Sequence, residues 1–189
     1  MKNRYSQLLH AIDLFKPQTI VEVGTWNGQN AIRMIQQAQK YHKNVVYVGY
    51  DLFEDANSTT DTEELNVKAH HTAHGVECDI KKACPAADVQ LIKGNTRDTL
   101  KNIQADFVFI DGGHSIETIS NDYVACKDSN VIIMDDYYVP DGDDRIPDTL
   151  KYGCNQLVDM FTCGVVLPLA DPVKEGGLTQ MVLLVAGER

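Results

Sequence analysis

Positive charge is scarce in this chain: 17 Lys and Arg stand against 27 Asp and Glu, a net charge of −10, and the basic residues form no cluster. Such a balance repels a polyanion, which argues against nucleic acid as a partner. The acidity serves equally well to keep a chain in solution or to attract a metal or a cationic ligand. No eighteen consecutive residues are apolar, and the opening stretch, Met1 to His10, has no long apolar run; neither a membrane span nor a secretory signal is expected. The five cysteines, Cys78, Cys84, Cys126, Cys154 and Cys163, are odd in number and contain no C-x-x-C pair, which points to a reduced, cytoplasmic setting. Internal repeats and linkers are missing too. The 189 residues therefore read as one domain, a leading amphipathic helix (1–16) followed by a core (17–189).

Several signatures are absent. There is no glycine loop ending in Gly-Lys-Ser or Gly-Lys-Thr. The G-x-G-x-x-G of dinucleotide sites is broken by Trp26, at the position where a pyrophosphate would approach the backbone. His70 and His74 are four apart, but no carboxylate sits between them in the H-E-x-x-H manner, so they read as a solvated helix face.

What is present is V-E-V-G-T-W-N-G, Val21 to Gly28. A β-prone run enters a turn bounded by Gly24 and Gly28 and leaves as a helix. Glycines suit such a turn because the chain reverses tightly and a ligand meets the backbone, while the helix start offers unpaired N–H groups. Tyr5, Leu8, Leu9, Ile12 and Phe15 predict a helix over 4–16, stopped by Pro17. Further strands are predicted at Val45–Tyr50, Val89–Lys93, Asp106–Ile110 and Asn130–Met134, with two more in the tail, 164–169 and 179–186. Between them lie a helix ending near His42, a polar loop over 52–61 and a helical stretch from Thr62 to about Cys84. A helix capped by Ser115 follows, then a second polar loop after Val139, and a helix built on Leu150, Cys154, Leu157, Val158 and Phe161. Strands alternating with helices make an α/β fold, a parallel sheet covered on both faces, with ligands beyond the carboxyl ends of the strands.

Those ends carry the candidate chemistry. Asp51 closes the second strand 23 residues after Gly28, near the spacing at which an acid accepts ribose hydroxyls, although a solvated turn aspartate fits as well. If the fourth and fifth strands are neighbours, about 4.8 Å apart, Asp111 and at least one of Asp135 and Asp136 converge. Clustered carboxylates raise each other's pKa unless a cation neutralises them, and a hard divalent ion, magnesium above all, suits oxygen donors. Alternatively one of the pair hydrogen-bonds a helix start, since successive strand residues point to opposite faces. His114 is placed either to take a proton or to bond loop backbone.

The E-x-G-x-x-x-G run, with Glu22 two residues before Gly24, resembles the first motif of class I S-adenosylmethionine-dependent methyltransferases. In its E-V-G-T form it is similar to the metal-dependent O-methyltransferases of the catechol, caffeoyl-CoA and macrocin types. The resemblance implies a Rossmann-like, doubly wound, mostly parallel seven-stranded sheet in the order 3-2-1-4-5-7-6, the last strand pair antiparallel. It implies S-adenosylmethionine held by Glu22, Gly24, Thr25, Gly28, Asp51, Leu52, Asn95, Thr96 and Asp111. Asp111 and His114 would be the catalytic pair. A magnesium ion would sit on Asp111, Asp135 and Asp136, the usual Asp-Asn pair appearing here as Asp-Asp. The acceptor would be a small-molecule hydroxyl, and a second subunit, making a homodimer, would complete a pocket that has little lid of its own. Two other readings keep the same sheet: a nicotinamide-dependent oxidoreductase, against which Trp26 weighs, and a non-catalytic adenosylmethionine or metal binder.

Overall fold

The computed structural model describes residues 3–66, 68–139, 152–160, 164–173 and 176–186. Five apolar runs make the parallel part of the sheet: β1 (Thr19–Val23), β2 (Val46–Asp51), β3 (Asp88–Lys93), β4 (Phe107–Ile110) and β5 (Val131–Val139). Every residue of β4 is buried, as a central strand covered on both faces requires. In the tail, β6 (Val165–Val166), β7 (Asp171–Pro172) and β8 (Leu178–Val185) are all antiparallel additions: β8 pairs with β5, and β6 and β7 with β8. The path is β3-β2-β1-β4-β5-β8-β6, with β7 beside β8. This is the expected strand order with one further strand, inside the D-P-V-K-E-G-G connection. Two residues long, it carries no alternation by which a sequence could announce it.

Helices cover both faces. On one, α1 (Arg4–Phe15) buries Leu8, Ala11 and Ile12, and α2 (Gln29–Ala38) buries Ala31, Met34, Ile35 and Ala38. They share a core with Ile20, Tyr47, Phe107 and Phe109 of the sheet. α1 stops where Lys16 turns left-handed before Pro17. On the other face, α6 (Ile116–Cys126) and α7 (Gly153–Val158) pack Ile119, Cys126, Cys154 and Leu157 against Val108, Ile132 and Val182.

Between β2 and β3 the structure departs from the expected loop and helix. A short 3-10 turn (Phe53–Asp55) leads into α3 (Ser58–Glu63), within the stretch expected to be loop. Asn57 starts α3 with a capping box, its side chain accepting from Thr59 and Thr60. Left-handed Leu65, φ 54, ends the segment, and the Thr72 hydroxyl caps α4 (Ala73–Ala83). His70 and His71 therefore lie before the helix and share no helical face with His74. A four-residue helix, α5 (Thr96–Thr99), follows β3. Leu150, Phe161, Cys163 and most of the second polar loop lie outside the described residues.

Candidate functional site

The carboxyl end of β1 is locked on both sides. Gly24 N–H donates to the Tyr50 carbonyl at 2.8 Å and Asp111 N–H to the Val23 carbonyl at 2.8 Å. Gly24 has φ +89, and a Cβ there would overlap the Asp111 carbonyl, so the turn accepts nothing but glycine. Gly28, φ +75, starts α2 facing Val76 and Ile80 of α4. Asp51, ending β2, uses one carboxylate oxygen to accept Trp26 N–H at 2.7 Å and the other to accept Phe53 N–H at 2.8 Å. Carboxylate oxygens have lone pairs to spare, so Asp51 can still accept hydroxyls.

A cavity of about 150 Å³ opens above these ends. Gly24, Asp51, Leu52, Asn95, Thr96, Asp111 and His114 line it. Asn95 caps α5, its Oδ1 accepting Arg97 N–H at 2.9 Å. Three expected ligand residues do not reach the cavity. Glu22 is 1% exposed beneath the glycine loop, one oxygen accepting the Tyr47 hydroxyl and the other without a hydrogen-bond partner among the described residues. Burial pushes its carboxyl up to about 8, the Tyr47 hydrogen bond acting against that rise. Thr25 is buried with Oγ1 3.4 Å from the same hydroxyl, and Gly28 faces α4.

The roof comes from the end of the stretch expected as a loop over 52–61 and from the residues after it. Thr60, Asp61, Glu64, Asn66, Lys68 and His70, from α3 and the residues that follow it, close the cavity from above. Trp26 latches the roof to the glycine loop, its indole N–H donating to the Ala69 carbonyl at 2.8 Å. Glu64 reaches across to the start of α6 and accepts from Ser115 N–H at 2.9 Å and the Thr118 hydroxyl at 2.5 Å, with Arg97 at 3.7 Å.

Beyond the Asp111–His114 wall, a hollow of about 10 Å³ is lined by Asp135, Asp136 and Tyr152, room for one water at most. Asp135 and Asp136 lie within β5, not beyond its end, because β8 continues the pairing past them. The register shifts between Met134 and Tyr137, and Asp136 takes φ 59, a bulge that turns these carboxylates toward the site. His114 Nδ1 lies 3.4 Å from Asp136 Oδ2. Asp111 lines both the cavity and the hollow; burial, then the charges of Asp135 and Asp136, raise its pKa well above the carboxylate range.

A family model described as a methyltransferase domain matches residues 21–137, more than half of the chain. The chain belongs to that methyltransferase-domain family. No curated protein matches the sequence. The methyltransferase has the fold of the O-methyltransferase TomG from Streptomyces achromogenes, solved with adenosylmethionine: TM-score 0.61, 16% identity, 97% of this chain and 79% of that one covered. It is similar to the O-methyltransferase NovP, with TM-score 0.65 and 15% identity over 96% of this chain and 77% of NovP. A Bacillus cereus O-methyltransferase solved with adenosylhomocysteine matches at TM-score 0.56 and 16% identity, covering 96% and 80%.

In this methyltransferase the acidic cluster already holds a cation. Arg4, from the first turn of α1, donates from Nε to Asp135 Oδ1 at 2.8 Å and from Nη2 to Asp135 Oδ2 at 3.0 Å, a bidentate pair, and Nη2 also reaches Asp136 Oδ1 at 3.3 Å. Burial would lower the Arg4 pKa, but Asp135, Tyr5 and Asp136 together outweigh it and the net shift is upward. Magnesium takes oxygen ligands at about 2.0–2.1 Å in near-octahedral array, typically one or two free carboxylates with several waters. With both oxygens of Asp135 on a guanidinium, Asp111, Asp135 and Asp136 do not fit that demand. Among the described residues, no group of three His, Cys, Asp or Glu side chains is disposed to hold a metal.

Proposed function

We propose that the chain transfers a methyl group from S-adenosylmethionine to a hydroxyl of a small molecule. The convergence of Gly24, Asp51, Thr96 and Asp111, from the ends of four adjacent strands, on one cavity carries this reading. The adenosylmethionine and adenosylhomocysteine named for structures of the same fold support the choice of ligand. Asp51 would accept the ribose hydroxyls, Leu52 and Thr96 would flank the adenine, and Gly24 would let the donor lie against backbone. The acidic cavity wall favours a sulfonium cation.

Bound adenosylmethionine supplies an electrophilic methyl carbon, and the protein must hold an acceptor oxygen in line with it. Asp136 orients the His114 ring through Nδ1, which leaves Nε2 to take the acceptor's proton as the O–CH3 bond forms and the S–CH3 bond breaks. No step is routed through magnesium, because the aspartates assigned to it do not fit the ion. No helix among the described residues is long and apolar enough to cross a membrane. The free thiols of the four described cysteines support a reducing setting such as the cytoplasm.

Calorimetry tests the reading. Adenosylhomocysteine should bind the parent and lose at least about tenfold in affinity, roughly 1.4 kcal/mol, in Asp51→Ala. A parent that binds neither adenosylhomocysteine nor adenosylmethionine ends the proposal.

A further inference from the structure

Three carboxylates brought to one place need positive charge, and here its source is covalently part of the chain. The Arg4 guanidinium has all three nitrogens engaged: Nε and Nη2 on Asp135, Nη2 also on Asp136 and on the Tyr5 hydroxyl at 3.2 Å, and Nη1 on Asp171 at 3.5 Å. The side chain is 14% exposed and that of Asp135 fully buried. A divalent ion entering here would have to strip Asp135 from the guanidinium and leave that buried charge without its main partner, which is strongly unfavourable. It would also sit beside a fixed positive charge.

We propose that Arg4 takes the place of a divalent ion in this site, so that the charge of Asp135 and Asp136 is offset in part, and Asp136 held beside His114, without bound metal. Arg4 lines neither the cavity nor the hollow and is therefore a positioning residue, acting through Asp135 and Asp136. The proposal concerns the site read above as a methyltransferase centre. Its test reads ion binding and stability, so the two stand or fall separately.

The experiment titrates magnesium and manganese, at constant ionic strength, into the full chain, Arg4→Ala, and Arg4→Ala with Asp135→Asn, following the melting temperature and the heat of ion binding. The parent is expected to show no ion-specific change, and its adenosylhomocysteine affinity should be the same in EDTA. Arg4→Ala should melt lower and recover roughly 5–10 °C at an ion concentration about a hundred times its dissociation constant. That recovery should vanish in the double variant. If Arg4→Ala does not fold, Arg4→Gln is titrated in its place, and Arg4→Lys should restore stability without gaining the ion response. A merely structural arginine would lower stability without creating an ion site. Stabilisation of the parent by either ion, lost on Asp135→Asn, would overturn the proposal, as would an Arg4→Ala or Arg4→Gln protein indifferent to both ions. Failure of every variant to bind adenosylhomocysteine would remove the methyltransferase reading and leave the ion result intact.

Discussion

Asp51 accepts the backbone N–H of Trp26 at 2.7 Å, and Trp26 sits at φ 48, in the left-handed region that side chains other than glycine and asparagine avoid. Phe53, at φ 49, donates to the other oxygen of the same carboxylate. One side chain thus holds two strained turns, the glycine loop and the exit from β2. Asp51→Ala is expected to destabilise the fold by about 2–4 kcal/mol, the loss of two hydrogen bonds to a charged carboxylate that hold strained turns. Asp51→Asn, with a single acceptor oxygen, should fall between parent and Ala. Urea denaturation of the three proteins checks the order.

Gly24 and Gly28 have the same left-handed backbone but different surroundings. A Cβ at Gly24 meets the backbone carbonyl of Asp111, which cannot retreat without parting β1 from β4; at Gly28 it lies 2.9 Å from Val76 Cγ1, a side chain that can shift. Gly24→Ala should cost more than about 3 kcal/mol and Gly28→Ala about 1–2 kcal/mol. Equal losses in thermal melts of the two variants would contradict this account.

Glu22 couples stability to pH. Its folded-state pKa of about 8 lies above the ordinary 4.5, so the native protein binds the extra proton between those values. The group's contribution is fully present below about pH 4.5 and is lost as pH rises through 8. Relative to Glu22→Gln, which keeps an acceptor for Tyr47 and never ionises, the parent should lose about 1.4 kcal/mol per pH unit across most of that window. Chemical denaturation of both proteins at pH 5.5, 7 and 8.5 measures the difference directly.

Trp26 is the chain's single tryptophan and lies at the cavity mouth, 39% exposed. Its emission should change on addition of adenosylhomocysteine. Trp26→Phe keeps an aromatic ring but loses the indole N–H to Ala69, so ligand affinity should drop by up to about tenfold while stability moves by less than about 1 kcal/mol. A stability loss equal to that of Asp51→Ala would mean the contact belongs to the fold and not to the roof.

Much of this site is written at strand ends, and that part was readable. Gly24, Asp51, Asn95, Thr96 and Asp111 each follow an apolar run, and parallel packing carries such positions to one edge whatever lies between them. Glu22 is different: the motif marks it, yet its position inside β1 turns the side chain under the loop, onto Tyr47. Glu64 left no signal, because its partners Ser115 and Thr118 are more than 50 residues away and the helix start they cap is polar. The expected helix over 62–84 holds from Ala73 to Ala83, with Val76 and Ile80 buried, and is broken before that for a local reason. Leu65 turns left-handed and Thr72 starts a new helix, a break with no proline to mark it. The bulge at Asp135 and Asp136 depends on β8, which arrives from the end of the chain, so a local reading stopped the strand where the apolar run stopped.

The helix α1 is made well before the segments it packs against. Arg4 meets Asp135 across 131 residues and Asp171 across 167, and Gln7 exchanges hydrogen bonds with the backbone of Leu169 across 162. Synthesis runs from the N-terminus, so α1 leaves the ribosome long before these partners exist. Such distant closures are slow steps in folding. Arg4 reaches the acidic cluster only once α1 has closed onto segments made more than a hundred residues later, which makes docking of the helix the event that completes the rim.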